Sequence, residues 1–162
     1  MNAQGKIITL EKLAEKMKAR AAGHTVALAN GIFDILHVGH LRYLEAARKL
    51  ADVLVVAVNS DRSVRALRGA GRPIVPDRER AELLAGLSCV DYVIIFDAPD
   101  VRAVIRALRP QFHVKGTDYT TESVPERDEV ERWGGEVRIA GDVKTHSTTA
   151  LLRKIEGCDD GN

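Results

Sequence analysis

The chain has 162 residues, enough for one domain with a single substantial core. Hydrophobic residues make up 45% and charged residues 29%, as in ordinary soluble globular proteins, and a formal net charge of +1 offers nucleic acid or an anionic membrane no global attraction. Any anion site must therefore be local.

The apolar run at residues 7–10 is too short for the core of a secretory signal, and no stretch reaches the roughly 20 apolar residues of a membrane span. Two cysteines, Cys89 and Cys158, cannot build a disulfide framework. Cys89 lies in an apolar stretch and reads as a small buried residue. The expected compartment is the cytoplasm.

In chain order, Leu10, Leu13, Ala14, Met17 and Ala21 recur at helical spacing and predict an amphipathic lead-in helix. "TVALAN" (25–30) is a short strand, and Leu41, Leu44, Ala47 and Leu50 mark one face of a helix over 40–50. "VLVVAVN" (53–59) is continuously apolar, the pattern of a strand covered on both faces. After an arginine-rich segment, "PDRERAELLAGL" (76–87) reads as a helix with Asp77 as its N-cap.

"YVIIF" (92–96) is a strand, "DVRAVIRAL" (100–108) a helix capped by Asp100, and "FHVKG" (112–116) a strand. "PERDEVERW" (125–133) reads as a polar, exposed helix ending at Gly134 and Gly135. "EVRIA" (136–140) is the last strand and "STTALLRKI" (147–155) the last helix. This divides the chain into a helical lead-in (1–24), one domain (25–156) and a flexible tail (157–162). Alternating strands and helices imply βαβ units and a largely parallel sheet, with ligands outside the carboxyl ends of its strands.

The chemically informative residues fall at that edge. Phe33, Asp34, His37, Gly39 and His40 follow the first strand, and Asn59, Ser60 and Asp61 end the second. Lys115, Gly116, Asp118 and Tyr119 end the fourth, and Ser147, Thr148 and Thr149 begin the final helix. A glycine before a helix lets a phosphate approach the N-terminal amides, and two histidines there could donate to its oxygens. They could equally be ordinary loop residues. A zinc site would need further ligands, of which only His146 is tempting, and no carboxylate or cysteine has a diagnostic spacing. The hydroxyl run is either a cap or a phosphate contact. Arg62, Arg65, Arg68, Arg72, Arg78 and Arg80 form either a solvated face or the local cluster that a triphosphate would require.

At this point the residues match a family. "FDILHVGH" resembles the H-x-G-H signature of the cytidylyltransferase-like nucleotidyltransferases, and "HSTTALL" resembles their C-terminal S-T-T motif. The ordered set "NGIFDILHVGH", "VAVNSD", "RPIVPDRER", "VKGTDY", "GGEV" and "STTALLRKI" is similar to the adenylyltransferases of ADP-heptose synthesis, free-standing or fused to a heptose kinase. The likeness spans residues 27–155.

The resemblance implies a single Rossmann-like α/β domain, a five-stranded parallel sheet of order 3-2-1-4-5 with helices on both faces. It implies transfer of AMP from ATP, with Mg²⁺, to D-glycero-β-D-manno-heptose 1-phosphate for lipopolysaccharide or another surface glycan. Other readings are nucleotidyl transfer to glycerol 3-phosphate or a flavin mononucleotide, and a non-catalytic nucleotide-binding module. The partners implied are a nucleoside triphosphate and a sugar 1-phosphate, with neither nucleic acid nor membrane; a homodimer is left open.

Carried over by motif, His37, His40 and Arg80 would be the catalytic residues, with Arg80 neutralising phosphate charge. Asp34 would order the site or its metal, and Asp61, Asp118 and Tyr119 would face nucleotide or sugar phosphate. Phe33, Gly39, Asn59, Lys115 and Gly116 would line the nucleotide site. Arg68, where relatives often carry lysine, would assist, and Ser147, Thr148 and Thr149 would hold phosphate. No side chain is assigned as a dedicated metal ligand. Thr117 departs from the usual G-G-D-Y. The R-T-E-G-I run of glycerol-3-phosphate cytidylyltransferases is absent before Ser147.

Overall fold

The continuous apolar run at 53–59 becomes the second strand, and all seven of its residues are buried. In the computed structural model, which describes residues 2–19, 23–142 and 152, this strand lies near the middle of a five-stranded parallel sheet. The strands are β1 (Val26–Gly31), β2 (Val53–Asn59), β3 (Tyr92–Phe96), β4 (Phe112–Lys115) and β5 (Glu136–Ile139). Their spatial order is β3-β2-β1-β4-β5, as the resemblance implied. The chain leaves β1 toward β2 on one side and returns to β4 on the other, which makes the β1/β4 junction the topological switch point.

Alternate residues of each strand feed two cores. Val26, Leu28, Val53 and Val55 face the side covered by α2 (Leu10–Ala19), α6 (Arg102–Leu108) and α7 (Arg127–Arg132). Ala27, Ala29, Leu54 and Val56 face α3 (Val38–Arg48) and α5 (Asp77–Gly86). The alanines of β1 leave room for α3, which packs Leu44 and Ala47 against them.

Two further elements were not foreseen as such. The arginine-rich segment folds as α4 (Asp61–Arg68), capped by Ser60, whose hydroxyl accepts from the amide of Ser63. At the N-terminus a single turn, α1 (Ala3–Lys6), leads to Ile7, which forms an isolated parallel bridge with Val93, and the Ile8 amide donates to the Val93 carbonyl at 3.0 Å. Lys6 donates to the carbonyl of Leu87.

Three local expectations are corrected. Pro76, not Asp77, is the cap of α5, because the Asp77 carboxylate is drawn to the Asp61 amide of the neighbouring helix. The helix at 127–132 is not simply exposed, since Glu129 and Val130 are buried against its neighbours. Cys89 is only half-buried. Ser147, Thr148 and Thr149 of the expected final helix, together with His146 and Cys158, lie outside the described residues. Among the described residues no helix is long and apolar enough to cross a membrane.

Candidate active site

The site begins where β1 runs out. A Cβ on Gly31 would stand 3.1 Å from the ring of Phe33, so a side chain there would crowd that ring. Phe33 itself has φ of 52°, a conformation that costs an aromatic residue on the order of 1–2 kcal/mol. Its buried ring meets the edge of His40, with centroids 5.2 Å apart. Strain in the backbone is thus exchanged for a packed histidine.

His37 caps α3. Its Nδ1 accepts from the Gly39 amide at 3.1 Å, and its ring stacks on His40 with centroids 3.9 Å apart. A neutral imidazole that accepts at Nδ1 carries its proton at Nε2, so the cap selects the tautomer that can donate elsewhere. The same bond engages the Gly39 amide, while Gly39 itself lines the cleft at the start of α3.

Asp34 is a hub. Its Oδ1 accepts from the amides of Ile74 and Val75 at 2.7 and 3.0 Å, and its Oδ2 from Arg72 at 2.8 Å. Burial alone would raise its pKa, but the Val75 amide, Arg72 and the Ile74 amide outweigh it and hold the carboxyl below its ordinary value. Asp34 therefore fastens the segment after α4 to the turn after β1.

The arginine expected to neutralise phosphate does something else. Arg80 is fully buried and donates to the carbonyls of Val75 and Ile32 and, at 2.8 Å, to Oδ1 of Asp61. Asp61 Oδ1 also accepts from the Asp77 amide, and Asp77 returns the bond to the Asp61 amide. Neither Arg80 nor Asp61 lines the cleft. Arg80 is thus engaged inside the protein through all three of its nitrogens, and Asp61, about a quarter exposed, is engaged through Oδ1.

The cleft of about 800 Å³ opens at the carboxyl ends of the strands, lined by Asn30 and Gly31 of β1, Asn59 of β2, Phe96 of β3, Lys115 of β4, and Ala140 just past β5. Phe33, Asp34, His37, Gly39, His40, Arg68, Gly116, Asp118 and Tyr119 also line it, so the structure gathers most of the residues singled out in the sequence. Asn59 donates to Ser63 Oγ, and Arg68 is exposed in the last turn of α4. The lining also takes in Arg72 of the arginine cluster, and sequence reasoning missed Asn30, Arg42, Tyr43, Glu126 and Asp142 there. Of these only Asn30, a polar residue closing an apolar strand, left a signal.

On the β4 flank, Lys115 Nζ donates to Asn30 Oδ1 at 2.9 Å, and His113 Nε2 lies 3.1 Å from the same oxygen. Asn30 Oδ1 can only accept, so His113 is protonated at Nε2. Burial, helped by Lys115, pushes the His113 pKa down to about 3, and burial lowers Lys115 against the opposing pull of Glu126 and Asp118. Tyr119 lies with its ring centroid 5.2 Å from Lys115 Nζ. A Cβ on Gly116 would come within 2.9 Å of Asp118 Oδ1. Thr117 donates to the Asp142 carbonyl at 2.8 Å while Arg42 of α3 pairs with the Asp142 carboxylate, pinning the exit of β5 to the cleft.

The family model described as cytidylyltransferase-like matches residues 28–156. The chain belongs to the cytidylyltransferase-like family. That membership makes it a nucleotidyltransferase domain. It is 46% identical over 151 residues to the bifunctional protein HldE of Syntrophotalea carbinolica, covering 93% of this chain and 31% of that protein. With the bifunctional protein HldE of Koribacter versatilis it shares 47% identity over 153 residues, covering 94% of this chain and 32% of that protein. The chain thus spans about a third of the length of the curated relatives it matches. A crystal structure of the lipopolysaccharide core biosynthesis protein from Thermoplasma volcanium superposes with a TM-score of 0.60 at 31% identity, over 72% of this chain and 94% of that one.

Proposed function

We propose that this cytidylyltransferase-like domain transfers AMP from ATP to D-glycero-β-D-manno-heptose 1-phosphate, giving ADP-heptose and pyrophosphate for lipopolysaccharide or another heptose-containing glycan. The observation that carries the reading is the stacked His37–His40 pair at the start of α3, facing Lys115 and the loop that follows it across one cleft. Its support is the high identity to proteins named HldE.

The reaction forms a bond between an acceptor phosphate oxygen and the α-phosphorus of ATP and breaks the bond from that phosphorus to the β-phosphate. The attacking oxygen is already ionised, so no general base is required. Positioning and stabilisation of charge on the transferring group supply the acceleration. His37, donating from Nε2, and His40 beside it serve the phosphate oxygens that gain charge. Lys115 adds a fixed positive charge on the opposite flank.

Magnesium would arrive with the triphosphate and neutralise part of its charge. Among the described residues no three His, Cys, Asp or Glu side chains gather as a metal site. Both oxygens of Asp34 are taken by Arg72, Ile74 and Val75. The donor set fits a cation held mainly by substrate phosphates.

The test is a coupled pyrophosphate-release assay of nucleotides against acceptors. ATP with the manno-heptose 1-phosphate should turn over, and CTP should be much poorer. Turnover with CTP and glycerol 3-phosphate, and none with ATP and the heptose phosphate, would refute the assignment.

A further inference from the structure

Glu126 is a cleft residue that the reaction above does not use. It stands at the N-cap position of α7, yet its side chain makes no capping bond. It lines the cleft at 5% exposure. Its Oε2 is buried and accepts no hydrogen bond. The nearest cation, Lys115 Nζ, lies 3.5 Å from that oxygen and gives its shorter contact, 2.9 Å, to Asn30.

A carboxylate withdrawn from water is costly unless its lone pairs are met by donors. One long ion pair leaves acceptor capacity unused at the wall of a substrate cleft. A phosphate cannot use it, because two anions would be brought together. A hydroxyl can, and hydrogen bonds to a charged acceptor are roughly twice as strong as neutral ones.

We propose that Glu126 is the hydroxyl-recognition residue of this site, accepting O–H bonds from a substrate polyol. Two substrates of the proposed reaction carry such hydroxyls, the ribose of the nucleotide and the acceptor sugar. The inference rests on the adenylyltransferase reading for the second source and only on nucleotide binding for the first. Glu126 thereby selects for ligands bearing a hydroxyl at that point and against ligands bearing an anion there.

The experiment compares the full chain with Glu126→Gln and Glu126→Ala. Calorimetry measures affinities for ATP, 2′-deoxy-ATP and 3′-deoxy-ATP, and pyrophosphate release gives KM for the heptose 1-phosphate and its monodeoxy analogues. In the unaltered protein, loss of the recognised hydroxyl should weaken binding about tenfold or more. In Glu126→Ala that penalty should vanish, while ligands lacking that hydroxyl bind as before. A vanished penalty among the nucleotides assigns the ribose; one among the sugar phosphates assigns the acceptor.

A carboxylate that serves only as counter-ion to Lys115 would weaken hydroxylated and deoxy ligands alike, and that outcome overturns the proposal. So do deoxy penalties that persist in the variants for both ligand series. Should Glu126→Ala unfold, Glu126→Gln keeps the shape and, as a neutral acceptor, should reduce the same penalty without abolishing it, and an undiminished penalty overturns the proposal. Absence of turnover with every sugar phosphate in the unaltered protein sinks the proposed reaction, and the nucleotide series still decides the role of Glu126.

Discussion

On the β2 flank of the cleft, Asp34, Asp61, Asp77, Arg72 and Arg80 hold one another and the backbone amides and carbonyls of 32 and 74–77. On the β4 flank, Lys115 and Glu126 are comparably buried but joined only by a 3.5 Å contact, with Asn30 and His113 behind them. Both flanks are rich in charge, and only the first is closed on itself. A saturated network stiffens the wall it builds, because each member has its partners without a ligand. A network with acceptor capacity left over is where a ligand changes the energy most. The difference separates scaffold from recognition inside one cleft.

The largest effect is expected on the saturated flank. Arg80→Met removes the donor shared by Val75, Ile32 and Asp61. Breaking such a buried pair should cost about 3–5 kcal/mol of stability, read by urea unfolding. The nucleotide affinity of the folded fraction should stay near that of the parent protein. Normal stability with selective loss of ATP binding would return Arg80 to the phosphate site and erase the distinction between the flanks.

Next comes the histidine pair that lies between them. His40→Ala should lower kcat by about 10²–10³, the loss of one preorganised donor, while ATP binding weakens far less. Melting temperature should change little. A folded variant with unchanged kcat would leave His40 as packing for Phe33 and nothing more.

The last test, a slope with pH rather than a single loss, sharpens the β4 flank. His113, with its pKa lowered to about 3 from an ordinary 6.5, is neutral in the folded protein while the unfolded chain takes up a proton below pH 6.5. The unfolded state binds more protons in that window, so stability falls as pH drops from 6.5 toward 3, by at most about 1.4 kcal/mol per pH unit. Asp34, whose pKa is lowered too, adds loss of the same sign at the acid end. Unfolding free energies of His113→Leu and the parent across this window isolate the histidine: the variant should show the flatter profile. Parallel profiles would mean that His113 is solvated or charged in the folded state.

Much of this was legible before any coordinates. The unbroken apolar run of β2, the alternation of strand and helix and the polar residues closing each strand placed the ligand edge, and the motif order implied the strand order. Gly135 was legible as a stop, and the reason is steric: a Cβ there would stand 2.4 Å from the Pro110 carbonyl. Arg80 was not legible, since "RPIVPDRER" reads the same whether its arginines face solvent, phosphate or protein, and only tertiary packing chooses. Glu126 was hidden for the converse reason. A glutamate in a polar run looks exposed until a neighbouring strand end and loop cover it. His37 was legible at the strand-to-helix junction, but its capping bond, which selects its tautomer, depends on a backbone angle that spacing does not encode.

The short N-terminal turn has a consequence far from the chemistry. β3 is an outer strand, with the apolar, largely β-branched sequence "YVIIF", and its carbonyl at Val93 is met by the amide of Ile8 beside the Ile7 bridge. An uncovered strand of that composition is a template onto which a second chain can add, the first step of aggregation. Residues that touch no part of the cleft therefore help keep neighbouring molecules apart, and they bear on how concentrated the protein can become before it comes out of solution.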